Sequence, residues 1–323
     1  MSQPTAGAPL PTKPLGRTGL AVTTLGVGCA WLGRRADGSV DEETGLAAIL
    51  AALDSGVRLI DTASLYADGR AEGVVGQALR QRPALRDQVV VQTKVRDVRD
   101  FGYTAAETRR SVETSLERLG LEHIPVVYIH DPPAEIIATV LGPDGALAAL
   151  RQLQTEGVVG HVGIASNNPW DNAPYIETGE FAAAVVPDAY SLLSQVALER
   201  IFPAAARFGM GVVVATPLER GLLATGTRAA RPEDHINRHF TPEVLQHVEQ
   251  IEALCAEYGI SLLAAALQFV VRHPVASATV PGARRAEQAW ANTAAIQEPI
   301  PAAFWPALEP LLRTFSVAQP PSR

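Results

Sequence analysis

The sequence predicts an α/β fold: a single (β/α)8 barrel of the TIM type with an N-terminal β-hairpin. Eight short, nearly all-apolar runs recur along the 323 residues, at 24–28, 59–60, 89–92, 126–129, 162–165, 183–186, 212–215 and 278–280. Helical patterns lie between most of them, and such alternation implies a parallel sheet. Apolar strands without polar alternation imply burial on both faces. Eight such units most simply close into a barrel, a fold that commonly runs past ~250 residues as one domain.

The elements follow in order. Residues 1–12, rich in Pro, Ala, Thr and Gly and without an apolar h-region, read as a flexible leader rather than a signal peptide. The barrel domain is expected over 13–315, with 316–323 as a tail. Leu15-Gly16-Arg17-Thr18-Gly19-Leu20 reads as a turn between two short strands. Residues 41–53 have helical spacing, with Asp41 as N-cap and Ser55-Gly56 as the stop. Further helical patterns cover 71–80, 105–119, 145–156, 198–207 and 242–258. Residues 225–241, with mixed charge and two histidines, read as a long rim loop.

Composition removes several classes of function. A net charge of −7 disfavours a nucleic-acid partner, which calls for a basic patch. The longest apolar window, 262–271, contains Gln268 and falls well short of the ~20 residues of a membrane span. Cys29 and Cys255, far apart in apolar surroundings, make no disulfide framework and point to a reducing, cytoplasmic setting.

Three of the apolar runs end in chemistry. Val57-Arg58-Leu59-Ile60 leads into Asp61, 88–93 into Lys94, and Pro125-Val126-Val127-Tyr128-Ile129 into His130; Tyr66 follows in the loop after Asp61. Parallel strands share one C-terminal rim, so the four groups can meet there. Each has a structural reading: Asp61 as an N-cap, Tyr66 as a rim aromatic, His130 as a satisfied loop histidine. Lys94 resists one, because lysine is rarely buried unpaired. Together they form a proton-transfer set. A phenol with a reference pKa near ~10 is a poor acid–base group at neutral pH, and a nearby ammonium lowers that value. An aspartate would hold the lysine charged, and a histidine would orient a carbonyl or share the proton. Such parts suit carbonyl reduction or alcohol oxidation, with a cofactor moving the hydride.

With these residues in view, the chain resembles the aldo-keto reductases over most of residues 14–312. Gly56-Val57-Arg58-Leu59-Ile60-Asp61-Thr62-Ala63-Ser64-Leu65-Tyr66 is similar to that family's first signature, and Glu72 and Gly76 fit its continuation. Thr93-Lys94 and His130 fit the remaining catalytic positions. The resemblance implies a catalytic tetrad of Asp61, Tyr66, Lys94 and His130, with Tyr66 as proton donor or acceptor. It also implies a cofactor site. Ser166 and Asn167 would hold the nicotinamide carboxamide, and Tyr190 would stack on its ring. The segment around Thr216, Leu218, Arg220 and Gly221 would wrap the pyrophosphate, and Gly282, Arg284, Arg285, Gln288 and Asn292 would take the adenosine end. Arginines fork well onto phosphate, and the adjacent Arg284 and Arg285 imply a preference for NADP(H), with NAD(H) as the other possibility. Trp31, just after the first strand, is the candidate substrate contact. A small carbonyl or sugar is the implied substrate; the oligomeric state is left open. The second half, at 190–198, 221–226 and 268–274, is similar to bacterial aldose and pyridoxal dehydrogenases within that family.

Three positions depart from the family pattern. Pro187 stands where a glutamine usually contacts the carboxamide, Ala67 replaces the common glycine after the tyrosine, and the loop 95–103 is short and charged. Other folds and functions compete with this reading. A doubly wound nucleotide-binding sheet wants Gly-x-Gly-x-x-Gly after its first strand, and Gly26-Val27-Gly28-Cys29-Ala30-Trp31 lacks the third glycine. A non-catalytic nucleotide-binding barrel that regulates a partner, and an aldolase or isomerase forming a Schiff base through Lys94, are the functional rivals. His235 and His239 have helical i, i+4 spacing but lack the glutamate of a zinc-protease motif, so no metal is expected.

Overall fold

Eight parallel strands close on themselves in a computed structural model that describes residues 9–35, 37–229, 234–235 and 238–315. A hairpin comes first, β1 (Thr12–Pro14) against β2 (Ala21–Thr23). Next are β3 (Val27–Gly28), β4 (Leu59–Asp61), β5 (Val90–Val95), β6 (Ile124–His130), β7 (Val159–Ala165), β8 (Ala183–Val186) and β9 (Gly211–Ala215). A two-residue antiparallel pair, β10 (Asp234–His235) and β11 (Arg238–His239), precedes the last barrel strand, β12 (Ala276–Val280). Each barrel strand pairs with its chain neighbour, and β9 pairs with β12. The first and last strands meet through the bridges Leu25 to Thr279 and Gly28 to Gly282, with the Gly26 amide donating to the Thr279 carbonyl at 2.8 Å.

The outer layer consists of α1 (Glu42–Asp54), α2 (Arg70–Gln81), α3 (Ala105–Leu119), α4 (Ile137–Leu141), α5 (Ala146–Thr155), α6 (Pro169–Glu177), α7 (Ile201–Phe208), α8 (Leu222–Thr225), α9 (Pro242–Glu257), α10 (Leu262–Arg272), α11 (Ala286–Gln297) and α12 (Phe304–Leu308). Asp41 caps α1 as expected, accepting the Thr44 amide at 3.1 Å, and Gly56 follows in the left-handed region at φ +93°. A capping box between Thr104 and Glu107 starts α3. No single helix among the described residues is long and apolar enough to cross a membrane; α9 and α10 pass that test only together, across a 95° bend.

The two-residue period of a strand sorts side chains between two cores. Ile60, Val91, Val95, Val127 and Ile129 face the helices. Leu59, Val90, Val126, Tyr128 and Val213 face the barrel interior, where Leu15 and Val22 of the hairpin join them. The hairpin plugs the N-terminal end of the barrel. Leu15 is fully buried, and the Arg17 guanidinium donates to the carbonyls of Phe208, Gly179 and Phe181 at 2.7–2.8 Å.

Several expectations change. Thr12 belongs to a strand and Leu10 is buried, so the part of the expected leader from residue 10 onward is part of the fold; residues 1–8 and 316–323 lie outside the described residues. Helices α6, α10 and α11 were not read from the sequence. Pro174 inside α6 and the unbroken apolar face of α10 obscure the amphipathic period. The region expected as a rim loop opens on the last residue of α8 and contains β10 and β11, while 230–233 and 236–237 lie outside the described residues. His235 and His239 therefore sit on paired strands and do not share a helix face. Among the described residues no group of three or more His, Cys, Asp or Glu could hold a metal ion.

Gly16 shows how tightly the plug fits. Its φ is +53°, and a Cβ there would stand 2.0 Å from the Gly211 backbone nitrogen. Gly16→Ala is expected to destabilise the protein by roughly 2–4 kcal/mol through backbone strain and overpacking. Denaturant melts check this, and an unchanged midpoint would show that the plug can yield.

Candidate active site

The inward faces of β4, β5 and β6 bring Asp61, Lys94 and His130 to one rim of the barrel. In the β4/β5 register Asp61 lies opposite Gln92, so Lys94, two residues on and on the same face, reaches back over the aspartate. Its ammonium donates to both carboxylate oxygens of Asp61, at 2.8 and 2.9 Å, and to the Thr62 carbonyl at 2.8 Å. The Tyr66 hydroxyl lies 3.2 Å from the same nitrogen. Lys94 and Asp61 are only 2% and 4% exposed, so each charge depends on the other. Asp61 is thus an ion-pair partner and not a helix cap.

Tyr66 is turned toward the lysine by a strained loop, with Ala67 and Asp68 at φ +51° and +56°. The left-handed backbone at Ala67 gives the physical reason a glycine would suit that position; alanine there costs about 1–2 kcal/mol. Tyr66 is half-buried at the cleft. Burial pushes the phenol up to about 12; Lys94 opposes that rise and Asp61 reinforces it. The expected lowering by Lys94 is therefore present but outweighed by desolvation, and Tyr66 is protonated at neutral pH. The Lys94 ammonium is held above its ordinary range by Asp61 and Tyr66 despite its burial. Burial pushes His130 down to about 4, so its imidazole is neutral. The His130 ring stands edge-on to Tyr66 at 5.9 Å, with Nδ1 buried and unpartnered and Nε2 3.8 Å from Asp131.

These groups line an open cleft. Of the residues singled out in the sequence, Trp31, Asp61, Tyr66, Lys94, His130, Ser166, Asn167, Thr216, Arg220 and Gly282 line it. Asn167 is anchored by Asp131, which accepts from its backbone amide at 2.7 Å and its side-chain amide at 3.0 Å. Arg220 is paired with buried Asp188 at 2.6 Å, and the Thr216 hydroxyl accepts the Asp188 amide at 2.9 Å.

Tyr190 is the clearest departure. It is absent from the cleft wall, and its ring packs with Phe202, Phe269 and His273 at 4.8–5.4 Å. Pro187 and Ala215 form part of the wall instead. Leu218, Gly221, Arg284, Arg285, Gln288 and Asn292 also lie outside the lining. Leu218 and Asn292 are buried, the Gln288 side chain accepts the Arg284 amide at 2.8 Å, and Arg285 is 63% exposed beside Glu287.

The residues fit a dinucleotide in part. A Cβ on Gly282 would meet nothing within 4 Å, so that wall is open to a ligand. Beyond it, burial lowers the proton affinity of Arg284, and the neighbouring charges of Arg285 and Arg34 lower it further. Such a cluster of like charges favours an anion. Ser166 and Asn167 line the other wall, with no ring at Ala215 or Pro187.

The sequence does not reveal which residues brace this cluster: Gln92 and Arg118 carry no local signal of that role, and Glu72 and Thr93 none beyond the family signature. Gln92 donates to Asp61 at 2.7 Å and accepts from Tyr128 at 2.9 Å. On the outer face, Thr93 donates to the buried carboxylate of Glu72 at 2.7 Å, and Arg118 reaches Glu72 at 3.3 Å. The sequence shows only a glutamine inside an apolar strand, two residues before Lys94 and so on its face.

With this geometry in hand, comparison with known proteins places the chain. Residues 24–313 match the aldo/keto reductase family, and the chain belongs to that family of oxidoreductases, which act on carbonyls and alcohols with nicotinamide cofactors. It is 29% identical to pyridoxal 4-dehydrogenase of Microbacterium luteolum, over 92% of this chain and 96% of that one. It is 30% identical to D-threo-aldose 1-dehydrogenase of a Pseudomonas species, over 90% and 94%. Its fold matches an aldo-keto reductase from Bacillus halodurans, in holo form, with a TM-score of 0.77 and 26% identity over 96% of this chain and 99% of that one.

Lys94→Met should leave Asp61 as an unpaired buried charge. We expect a stability loss of about 3–5 kcal/mol and, in the folded fraction, a Tyr66 that is harder to ionise. Urea melts and activity against pH check both; unchanged stability would mean that the pair is solvated.

Proposed function

We propose that this protein is a nicotinamide-dependent oxidoreductase that interconverts an aldehyde, ketone or sugar hemiacetal with its oxidised or reduced partner, using Tyr66 as the general acid/base. The observation that carries this reading is the buried Lys94 ammonium, held between the Asp61 carboxylate and the Tyr66 hydroxyl. When bound, the nicotinamide supplies or accepts the hydride.

The chain's own residues handle the proton and the oxygen. In reduction, protonated Tyr66 gives its proton to the carbonyl oxygen as charge develops there, and Lys94 stabilises the phenolate left behind. Neutral His130 offers a ring N–H to the same oxygen. In oxidation Tyr66 must be ionised first. Because burial lifts it to about 12, oxidation should accelerate as pH rises through the alkaline range, while reduction stays level across neutral pH.

The rival readings lose ground on the same geometry. A Schiff-base lysine must shed its proton, whereas Lys94 has a raised proton affinity and acceptors on all sides. A purely regulatory barrel has no use for a complete acid–base set. Trp31 and Asp131 on the cleft wall suit a ring-bearing aldehyde or a sugar, in keeping with the names of two relatives. Two buried free cysteines agree with a cytoplasmic setting.

Tyr66→Phe should lower turnover by ~10²–10⁴-fold and leave cofactor affinity nearly unchanged. Steady-state rates with a panel of aromatic aldehydes, pyridoxal and aldoses, beside fluorescence titration of cofactor, check this. Retention of more than half the parent rate would remove Tyr66 from the mechanism. The arginine cluster supports a preference for the 2′-phosphorylated cofactor. Arg284→Ala should weaken NADPH by about 10- to 150-fold and NADH little, since a charged hydrogen bond contributes roughly 1.5–3 kcal/mol. Equal binding of both cofactors by the parent protein would sink the preference.

A further inference from the structure

Two polar side chains lie inside an otherwise apolar barrel without touching the cleft. Gln92 and Tyr128 are both fully buried, on the inward faces of β5 and β6. Their hydrogen bonds run in one direction. The Tyr128 hydroxyl donates to the amide oxygen of Gln92 at 2.9 Å, and the amide nitrogen of Gln92 donates to Asp61 Oδ1 at 2.7 Å. A carboxylate only accepts, so it must receive the NH2 end of the amide; the oxygen end then faces the phenol. Burial keeps Tyr128 protonated by pushing its pKa far above the ordinary range.

Leucine and phenylalanine at these positions would fill the space without burying an amide and a hydroxyl. Leu59, Val90 and Val126 do so in the layer below. The polar pair thus needs a purpose, and among the described residues its hydrogen bond to the charged cluster goes to Asp61.

We propose that Gln92 is a positioning residue for the proton-transfer pair, with Tyr128 fixing its amide, so that Tyr128, Gln92, Asp61, Lys94 and Tyr66 form one hydrogen-bonded line from the barrel interior to the phenol. This rests on Tyr66 being the group that transfers the proton. Asp61 Oδ1 receives Gln92 at 2.7 Å and Lys94 at 2.8 Å. The amide donor spreads the carboxylate charge and limits its pull on the ammonium, which can then keep its 3.2 Å contact with Tyr66. Without Gln92, Asp61 draws Lys94 away from the phenol, the phenolate loses support, and Tyr66 ionises at higher pH. The other charged or titratable groups facing this cluster are Cys29 after β3, His130 and Asp131 at the end of β6, and Arg96 after β5. Gln92→Leu alters none of them.

The test uses the full chain with 3,5-difluorotyrosine inserted at position 66 alone, which brings that phenol's ionisation into an accessible range for fluorine NMR without any need for turnover. Gln92→Leu should raise the titration midpoint by about one pH unit. With ordinary tyrosine at position 66 it should lower kcat by about tenfold, or ~1.4 kcal/mol, with little change in KM. Tyr128→Phe, which keeps the ring that fills the barrel, should shift both in the same direction by less, and the double variant no further than Gln92→Leu alone. Gln92→Met serves if the leucine variant does not fold. A midpoint unmoved in Gln92→Leu or Gln92→Met overturns the inference, and if Tyr66→Phe is inactive the reading of Tyr66 still stands. A shifted midpoint with unchanged kcat upholds the alignment of Tyr66 by Gln92 and overturns the role of Tyr66 itself.

Discussion

A buried lysine and a buried aspartate, joined by contacts of 2.8 and 2.9 Å, impose the main constraint on this barrel. Either charge alone would be strongly destabilising in that position, and the pair is tolerated only because its geometry is close to ideal and its remaining valences are met. The Thr62 carbonyl, the Tyr66 hydroxyl and the Gln92 amide meet them. The pairing of β4 with β5 fixes the arrangement. A one-residue slip would turn Lys94 outward into the helical layer and leave Asp61 unpaired, so the apolar pattern that sets the register also sets the chemistry.

Stability and function divide between the two ends of the barrel. The N-terminal end is closed by the hairpin, with Leu15 and Val22 filling the interior and Arg17 tying the turn to three carbonyls. The C-terminal rim carries the strain. Among the described residues, every non-glycine with positive φ follows the C-terminal end of a barrel strand: Ala67, Asp68, Tyr103, Asp131, Asp188, Thr216, Glu219 and Arg220. Such conformations persist where the surroundings over-determine them. Here those surroundings are polar: Asp131 holds Asn167, Asp188 holds Arg220, and Ser191 is bonded to Glu219.

The meeting of Asp61, Lys94 and His130 was legible in the sequence because each follows an apolar run whose direction is known, and a parallel sheet brings such ends together. The cofactor end was less legible. Family resemblance carried Ser166, Asn167, Arg220 and Gly282 to the cleft, yet it sent Tyr190 there as well, although that ring belongs to an aromatic cluster with Phe202, Phe269 and His273. A tyrosine at the end of a strand can turn toward the rim or into the helical layer, and local pattern does not distinguish the two. Gln92 and Tyr128 are less legible, because each sits inside a strand whose neighbours are apolar and the partner of each is on another strand.

The sequence by itself determined the barrel and the alternation of its elements, since these follow from local periodicity, and it brought Asp61, Lys94 and His130 to one rim, since parallel strands share a direction. Only the tertiary structure decided the protonation of the acid–base set. Desolvation outweighs Lys94 at Tyr66 and holds His130 neutral. It also decided that Asp61 is braced from below by Gln92 and that the Arg220 charge is already paired. Those outcomes depend on burial and on contacts between residues far apart in the chain, and neither quantity is a property of any segment read alone.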